Sequence, residues 1–104
     1  MAGAVISTAA SLLLLVADPA AAAADRGLQL AAVCAACHRL DRPDVGIPSG
    51  TGLDEDSLVR VLRAYRSGER QSQIMHAVAR SLGDEDIVIV SHYLAGLRRA
   101  TKAR

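Results

Sequence analysis

The sequence predicts a small all-α protein with about four short helices separated by loops. The chain has 104 residues, which is the size of one small domain. In the second half of the chain, apolar residues recur at the spacing of a helix face. Asp residues that can cap a helix precede two of these stretches, and Gly and Pro residues mark a loop that separates the first helix from the others.

The first 24 residues have the pattern of a secretory signal peptide. The apolar run Leu12–Val16 is followed by alanines that end in Ala22-Ala23-Ala24, an A-x-A cleavage site directly before Asp25. No Lys or Arg precedes the run, which is unusual for such a signal. The alternative is a retained membrane anchor, although the run is shorter than the about 20 residues that a span needs. We therefore expect a periplasmic domain over residues 25–104, with no stable membrane insertion once the signal is cleaved.

The first helix is predicted from Asp25 to about Arg39, and residues 40–53 are predicted to form a loop. Asp54 is predicted to be the N-cap of the second helix, because acidic residues follow it in what would be the first turn. Gly68 is predicted to stop that helix.

A third, short helix is predicted over about residues 71–82, with Gly83 as the break and Asp84 as the cap of the last helix. The β-branched run Ile87–Val90 also has the local propensity of a strand. A helix is favoured there, because the cap before the run and the apolar stripe after it continue one helical period as far as Arg98-Arg99.

The composition argues against some functions and gives the core few large aromatic side chains. The formal net charge of +1 is unlike that of a protein that binds nucleic acid through a large basic surface. Hydrophobic residues make up 51% of the chain, but Tyr65 and Tyr93 are its only aromatic residues. A domain this small commonly needs a disulfide, a metal or a cofactor to hold it together.

The two cysteines and the following histidine stand in the run Cys34-Ala35-Ala36-Cys37-His38, which allows three interpretations. A redox dithiol of the thioredoxin type requires a strand before the motif, whereas a helical stretch precedes it here. A structural zinc site needs a fourth ligand, for which His76 or His92 is available. The third interpretation is covalent c-type haem, which the C-x-x-C-H spacing indicates.

Haem is the favoured interpretation of this motif. Two cysteines one turn apart can each add to a vinyl group of the porphyrin, and the next residue then directs its imidazole at the iron. Attachment of c-type haem takes place outside the cytoplasm, in agreement with the predicted export signal. The large apolar macrocycle would also replace the missing Phe and Trp side chains in the core.

Several segments beyond the haem motif carry a family resemblance: Arg66-Ser67-Gly68-Glu69-Arg70, Ile74-Met75, Leu82-Gly83-Asp84-Glu85-Asp86-Ile87 and Tyr93-Leu94-Ala95. Together with the motif they resemble class I monohaem cytochromes c, and in particular the group related to the cytochrome subunit of flavocytochrome c sulfide dehydrogenase. The resemblance runs from about residue 28 to residue 97. It implies a cytochrome c-like fold in which short helices and long loops wrap around one covalent haem.

The resemblance implies that His38 is the proximal iron ligand and Met75 the distal one. Met75 is also the only thioether left in the chain once Met1 is removed with the signal. His76 could ligate instead and give a bis-His iron, but neighbouring helix positions point about 100° apart. We expect His76, like His92, to be a solvated polar residue.

The chain departs from the family around the proximal ligand. Relatives usually carry Gly after the haem histidine, where this chain has Arg39-Leu40-Asp41-Arg42. In the family, a Gly-Pro carbonyl orients the proximal imidazole; here Pro48 is the candidate for that role. The first and last helices cross in class I relatives, and Leu30 and Tyr93 are the candidates for the contact.

These observations predict a periplasmic electron carrier whose haem iron cycles between Fe(III) and Fe(II) with His/Met ligation. No pattern of nucleophile, base and orienting group is visible, so an enzyme acting alone is not expected. The expected partners are redox proteins: a flavoprotein sulfide dehydrogenase subunit, another cytochrome or an oxidase. The alternatives are a subunit of that sulfide dehydrogenase complex, and a haem sensor or peroxidase with an open distal site.

Overall fold

The computed structural model describes residues 1–7, 9–42, 46, 47, 50 and 52–103. The described part of the chain is all-helical and contains no strand, which confirms the predicted all-α class. Its helices are α1 (Pro19–Cys34), α2 (Glu55–Ser67), α3 (Gln73–Arg80) and α4 (Asp84–Lys102).

Helix α1 starts earlier and ends earlier than the sequence predicts. The Asp18 side chain accepts a hydrogen bond from the Ala20 N–H at 3.1 Å, and Pro19 occupies the first turn, where its missing N–H is not needed. The helix therefore begins ahead of the expected start at Asp25 and crosses the predicted cleavage point. Among the described residues, no helix has both the length and the apolar character needed to cross a membrane.

Helix α2 has the boundaries that the sequence predicts. The Asp54 carboxylate accepts a hydrogen bond from the Ser57 N–H at 2.8 Å and so caps the N-terminus. At the other end, Gly68 has φ +84°, the left-handed conformation that favours glycine after a helix. Both signals act over a few residues, which explains why they could be read from the sequence.

Helices α3 and α4 differ from the prediction at their starts. Ser72 caps α3, because its hydroxyl accepts the Met75 N–H at 3.2 Å. The assignment of Asp84 as the cap of α4 is wrong: Asp84 is the first helical residue, and the Gly83 carbonyl accepts the first helical bond from the Ile87 N–H at 3.1 Å. The Asp84 carboxylate binds Arg66 of α2 instead.

The core lies where α1 and α2 both pack against α4, and α3 packs against α2. Leu30, a predicted contact residue, is buried in this core, and Tyr93 packs against its edge. Helix α1 comes close to α4 at Gly27 and Tyr93, a pair that the sequence did not indicate. The buried core cluster consists of Leu30, Ala31, Leu58, Val90, Leu94 and Ala95.

Candidate functional site

The two cysteines and His38 occupy a single turn of chain at the C-terminal end of α1. Cys34 is the last residue of the helix, and its carbonyl accepts two hydrogen bonds, from the Cys37 N–H at 3.1 Å and from the His38 N–H at 2.9 Å. These two bonds keep the backbone from Cys34 to His38 wound in one helical turn. This is the local arrangement that the motif spacing predicts.

Both cysteines are free thiols, and their surroundings favour the protonated form of Cys34. Burial raises the pKa of the Cys34 thiol, which donates a hydrogen bond to the Leu30 carbonyl at 3.6 Å. The thiol also lies at a helix C-terminus, where the helix dipole disfavours a negative charge. Redox-active dithiols have the opposite setting, since a helix N-terminus lowers the pKa of their reactive cysteine. The geometry therefore speaks against a thioredoxin-like dithiol.

His38 has a buried nitrogen without a partner. Its side chain is half-buried, and Nδ1 has no hydrogen-bond partner among the residues that the structure describes. An imidazole that ligates a metal through one nitrogen commonly donates the proton of its other nitrogen to an acceptor that fixes the ring. Pro48, the predicted source of this acceptor, lies outside the described residues.

Met75 lies on α3, away from the helix that carries the thiols. Its side chain is half-buried, and its backbone N–H is held by the Ser72 cap. The turn that contains His38 follows α1, which packs on α4, whereas α3 packs on α2. The two predicted iron ligands are therefore carried by different packed helix pairs.

The other two histidines have partners of their own. His76 was expected to be solvated, but it is half-buried and its Nδ1 lies 2.7 Å from the Tyr65 carbonyl oxygen. His92 is the polar surface residue that was expected, with 69% of its side chain exposed and Nδ1 at 3.1 Å from a Glu55 carboxylate oxygen.

The zinc interpretation finds no cluster of ligands in the described ranges. Within them, no three side chains of His, Cys, Asp or Glu come together in a way that could hold a metal ion. The two histidines that might have supplied a fourth ligand contact Tyr65 and Glu55 instead.

The donor set fits a covalent haem. It comprises two free thiols in one turn, an adjacent imidazole with an unpartnered buried nitrogen, and a thioether on a separate short helix. These four side chains are the ones that the sequence predicts as the haem site. Sequence reasoning missed Ser72 and Tyr65, although a Ser three residues before Met75 is a recognisable helix-capping signal.

Comparison of the chain with known protein families, with curated proteins and with solved structures found no match.

Proposed function

We propose that the chain is an exported c-type cytochrome that carries single electrons between redox proteins. The observation that carries this proposal is the C-x-x-C-H motif, wound into one turn at the C-terminal end of α1 with the Nδ1 of its histidine buried and unpartnered. The predicted signal peptide supports the periplasm as the place where haem is attached and used.

The thiols of Cys34 and Cys37 would each add across one vinyl group of the haem. In each addition the S–H bond is replaced by an S–C bond, and the hydrogen goes to the other vinyl carbon, so that no oxidant or reductant is consumed. Once bound, the haem supplies a one-electron Fe(III)/Fe(II) couple.

His38 and Met75 would be the side chains that hold the iron. A His/Met pair is typical of electron-carrying cytochromes c, and the thioether raises the reduction potential. If both side chains held the iron, they would exclude exogenous ligands, and the same two donors would serve both oxidation states. The donor or acceptor is proposed to be a flavoprotein of the sulfide dehydrogenase type, another cytochrome or an oxidase.

Optical spectra of the holoprotein, made in a host that matures c-type cytochromes, test the proposal. Wild type should show sharp reduced bands and, when oxidised, a far-red band from sulfur bound to iron. Met75→Ala should abolish the far-red band. The matched control is Ile74→Ala, on the same helix and with 71% of the residue exposed, which should leave it unchanged.

The same spectra separate the alternatives. Haem without a sulfur band in wild type would favour a sensor or peroxidase with an open distal site, or a bis-His iron. A colourless protein would contradict the proposal and would favour thiol or zinc chemistry at the cysteines.

A further inference from the structure

We propose that His76 is a positioning residue, which holds the Met75 thioether at the iron by tying α3 to the last turn of α2. The inference rests on the proposed function, because it concerns the ligand that the haem iron would take. It does not make His76 a ligand.

A short helix such as α3 needs anchoring by other parts of the protein. It spans eight residues, fewer than an isolated helix needs to be stable in water, so its position depends on its contacts. The His76 ring supplies one such contact, with Nδ1 at 2.7 Å from the Tyr65 carbonyl oxygen. Because a carbonyl can only accept, Nδ1 carries the hydrogen in this bond.

The acceptor is itself held in place. Tyr65 lies in the last turn of α2, and its carbonyl also accepts the Gly68 N–H at 3.2 Å. The Tyr65 hydroxyl accepts a hydrogen bond from Arg70 Nε at 3.0 Å, and the Arg70 guanidinium lies 5.2 Å from the centre of the Tyr65 ring. His76 is therefore bound to a fixed point on α2.

Along the chain, Met75 lies between two residues that anchor α3, Ser72 and His76. On one side, Ser72 accepts the Met75 N–H with its hydroxyl and the His76 N–H with its carbonyl, at 3.2 Å and 2.8 Å. On the other side, the His76 ring reaches Tyr65 of the neighbouring helix. The first anchor fixes the turn within α3, and the second fixes the rotation of that turn against α2.

The direction of the ring argues for positioning rather than ligation. Successive side chains on a helix point about 100° apart. Because the His76 ring is bound to α2, the Met75 side chain next to it points in a different direction. Arg66 ties α2 to the segment just after α3, through the Leu82 carbonyl and Asp84. His76 supplies the corresponding link near the N-terminal end of α3, where Met75 lies.

Three substitutions at position 76 separate the hydrogen bond from other effects. His76→Asn places an amide N–H near the position of Nδ1 but does not offer an imidazole to the iron. His76→Leu keeps bulk and lacks a donor, and His76→Ala lacks both. Ala and Leu favour a helix more than His does, and Asn does not. A weakened Met75–iron bond in the Ala and Leu variants therefore could not come from a weaker helix.

The readout is the bond between Met75 and ferric iron in the holoprotein, measured by the far-red band and by titration with free imidazole, which competes for the distal position. The Ala and Leu variants should bind imidazole up to about tenfold more tightly than wild type, the factor that corresponds to one net hydrogen bond. The Asn variant should stay close to wild type. His92→Ala, which removes an exposed histidine on α4, is the matched control and should change nothing.

Unchanged imidazole affinity in the Ala and Leu variants would overturn the inference. An Asn variant that binds imidazole as tightly as they do would also overturn it. Should the Ala variant yield no holoprotein, the comparison of Leu with Asn decides in the same way. A wild-type spectrum that depends on His76 but not on Met75 would make His76 the ligand, and would overturn the inference as well. Loss of the far-red band in Met75→Ala is the separate test of the proposed function.

Discussion

Gly27 of α1 and Tyr93 of α4 lie so close together that only a residue without a side chain fits at position 27. A Cβ built on Gly27 would stand 2.8 Å from the Tyr93 Cβ and 3.1 and 3.2 Å from two atoms of the Tyr93 ring. The backbone of α1 therefore rests directly on the side chain of Tyr93. Because Cys34 ends α1, this contact also sets where the thiol-bearing turn lies relative to α4.

Gly27→Ala should destabilise the protein. Forcing a methyl group into this contact costs about 1–3 kcal/mol, and the better helix propensity of Ala returns only about 1 kcal/mol. Gly96→Ala is the matched control, since the nearest atom to its added Cβ is the end of the flexible Arg99 side chain, 3.7 Å away. Urea unfolding should show a lower midpoint for Gly27→Ala and an equal or higher one for Gly96→Ala. Equal midpoints for the two variants would show that α1 and α4 can move apart at position 27 without a loss of stability.

Stability should fall in acid because of the ion pairs made by α4. Arg26 binds both carboxylate oxygens of Asp86 at 3.1 Å and holds the pKa of Asp86 below its ordinary 3.8, and Arg66 does the same for Asp84. A lowered pKa in the folded state contributes stability that is present above the ordinary value and lost as the pH falls through the folded one.

Asp86→Asn should therefore flatten the loss of stability on acidification below about pH 4, where the wild type begins to lose the contribution of this pair, measured as the midpoint of thermal unfolding. The control is Asp25→Asn on α1, a carboxylate that has no ion pair among the described residues. If both variants show the same acid profile as wild type, the pair between Arg26 and Asp86 does not form in solution.

Export should cut α1 without disturbing the core. The helix crosses the predicted cleavage point after Ala24, and residues 19–26 are all exposed, whereas Gly27 is the first buried residue. A chain that starts at Asp25 loses the Asp18 cap and six helical residues that make no core contact, so its free energy of unfolding should change by less than about 1 kcal/mol. N-terminal sequencing of the exported protein should begin at Asp25. A protein that keeps Leu12–Val16 and sediments with membranes would instead support the anchor.

Local signals in the sequence predicted the parts of the fold that depend on neighbouring residues. Asp54 and Gly68 bound α2 as expected, because a cap and a left-handed glycine act within one turn. Asp84 is not the cap: it is the first residue of α4, and its carboxylate binds Arg66, which is distant in sequence. Gly27 gave no signal, since its importance appears only when α4 is placed against it.

In the candidate site, too, the features set by neighbouring residues could be predicted and those set by distant residues could not. The spacing of Cys34, Cys37 and His38 predicts that the three residues share one helical turn, and the backbone hydrogen bonds at the end of α1 form such a turn. The partner of His76 is a backbone carbonyl, which any residue at position 65 would offer. No feature of the sequence identifies such an acceptor, and the contact could be found only from the packing of α3 on α2.

Covalent attachment of haem is the central claim, and absorbance of the denatured chain tests it most directly. Wild-type protein from a host that matures c-type cytochromes should keep its haem absorbance on the polypeptide after denaturation and acid extraction, and its intact mass should equal that of residues 25–104 plus one haem. The double variant Cys34→Ser, Cys37→Ser should lose the haem under the same treatment. A wild-type chain that carries no haem after denaturation, or whose mass is that of the polypeptide alone, would contradict the account.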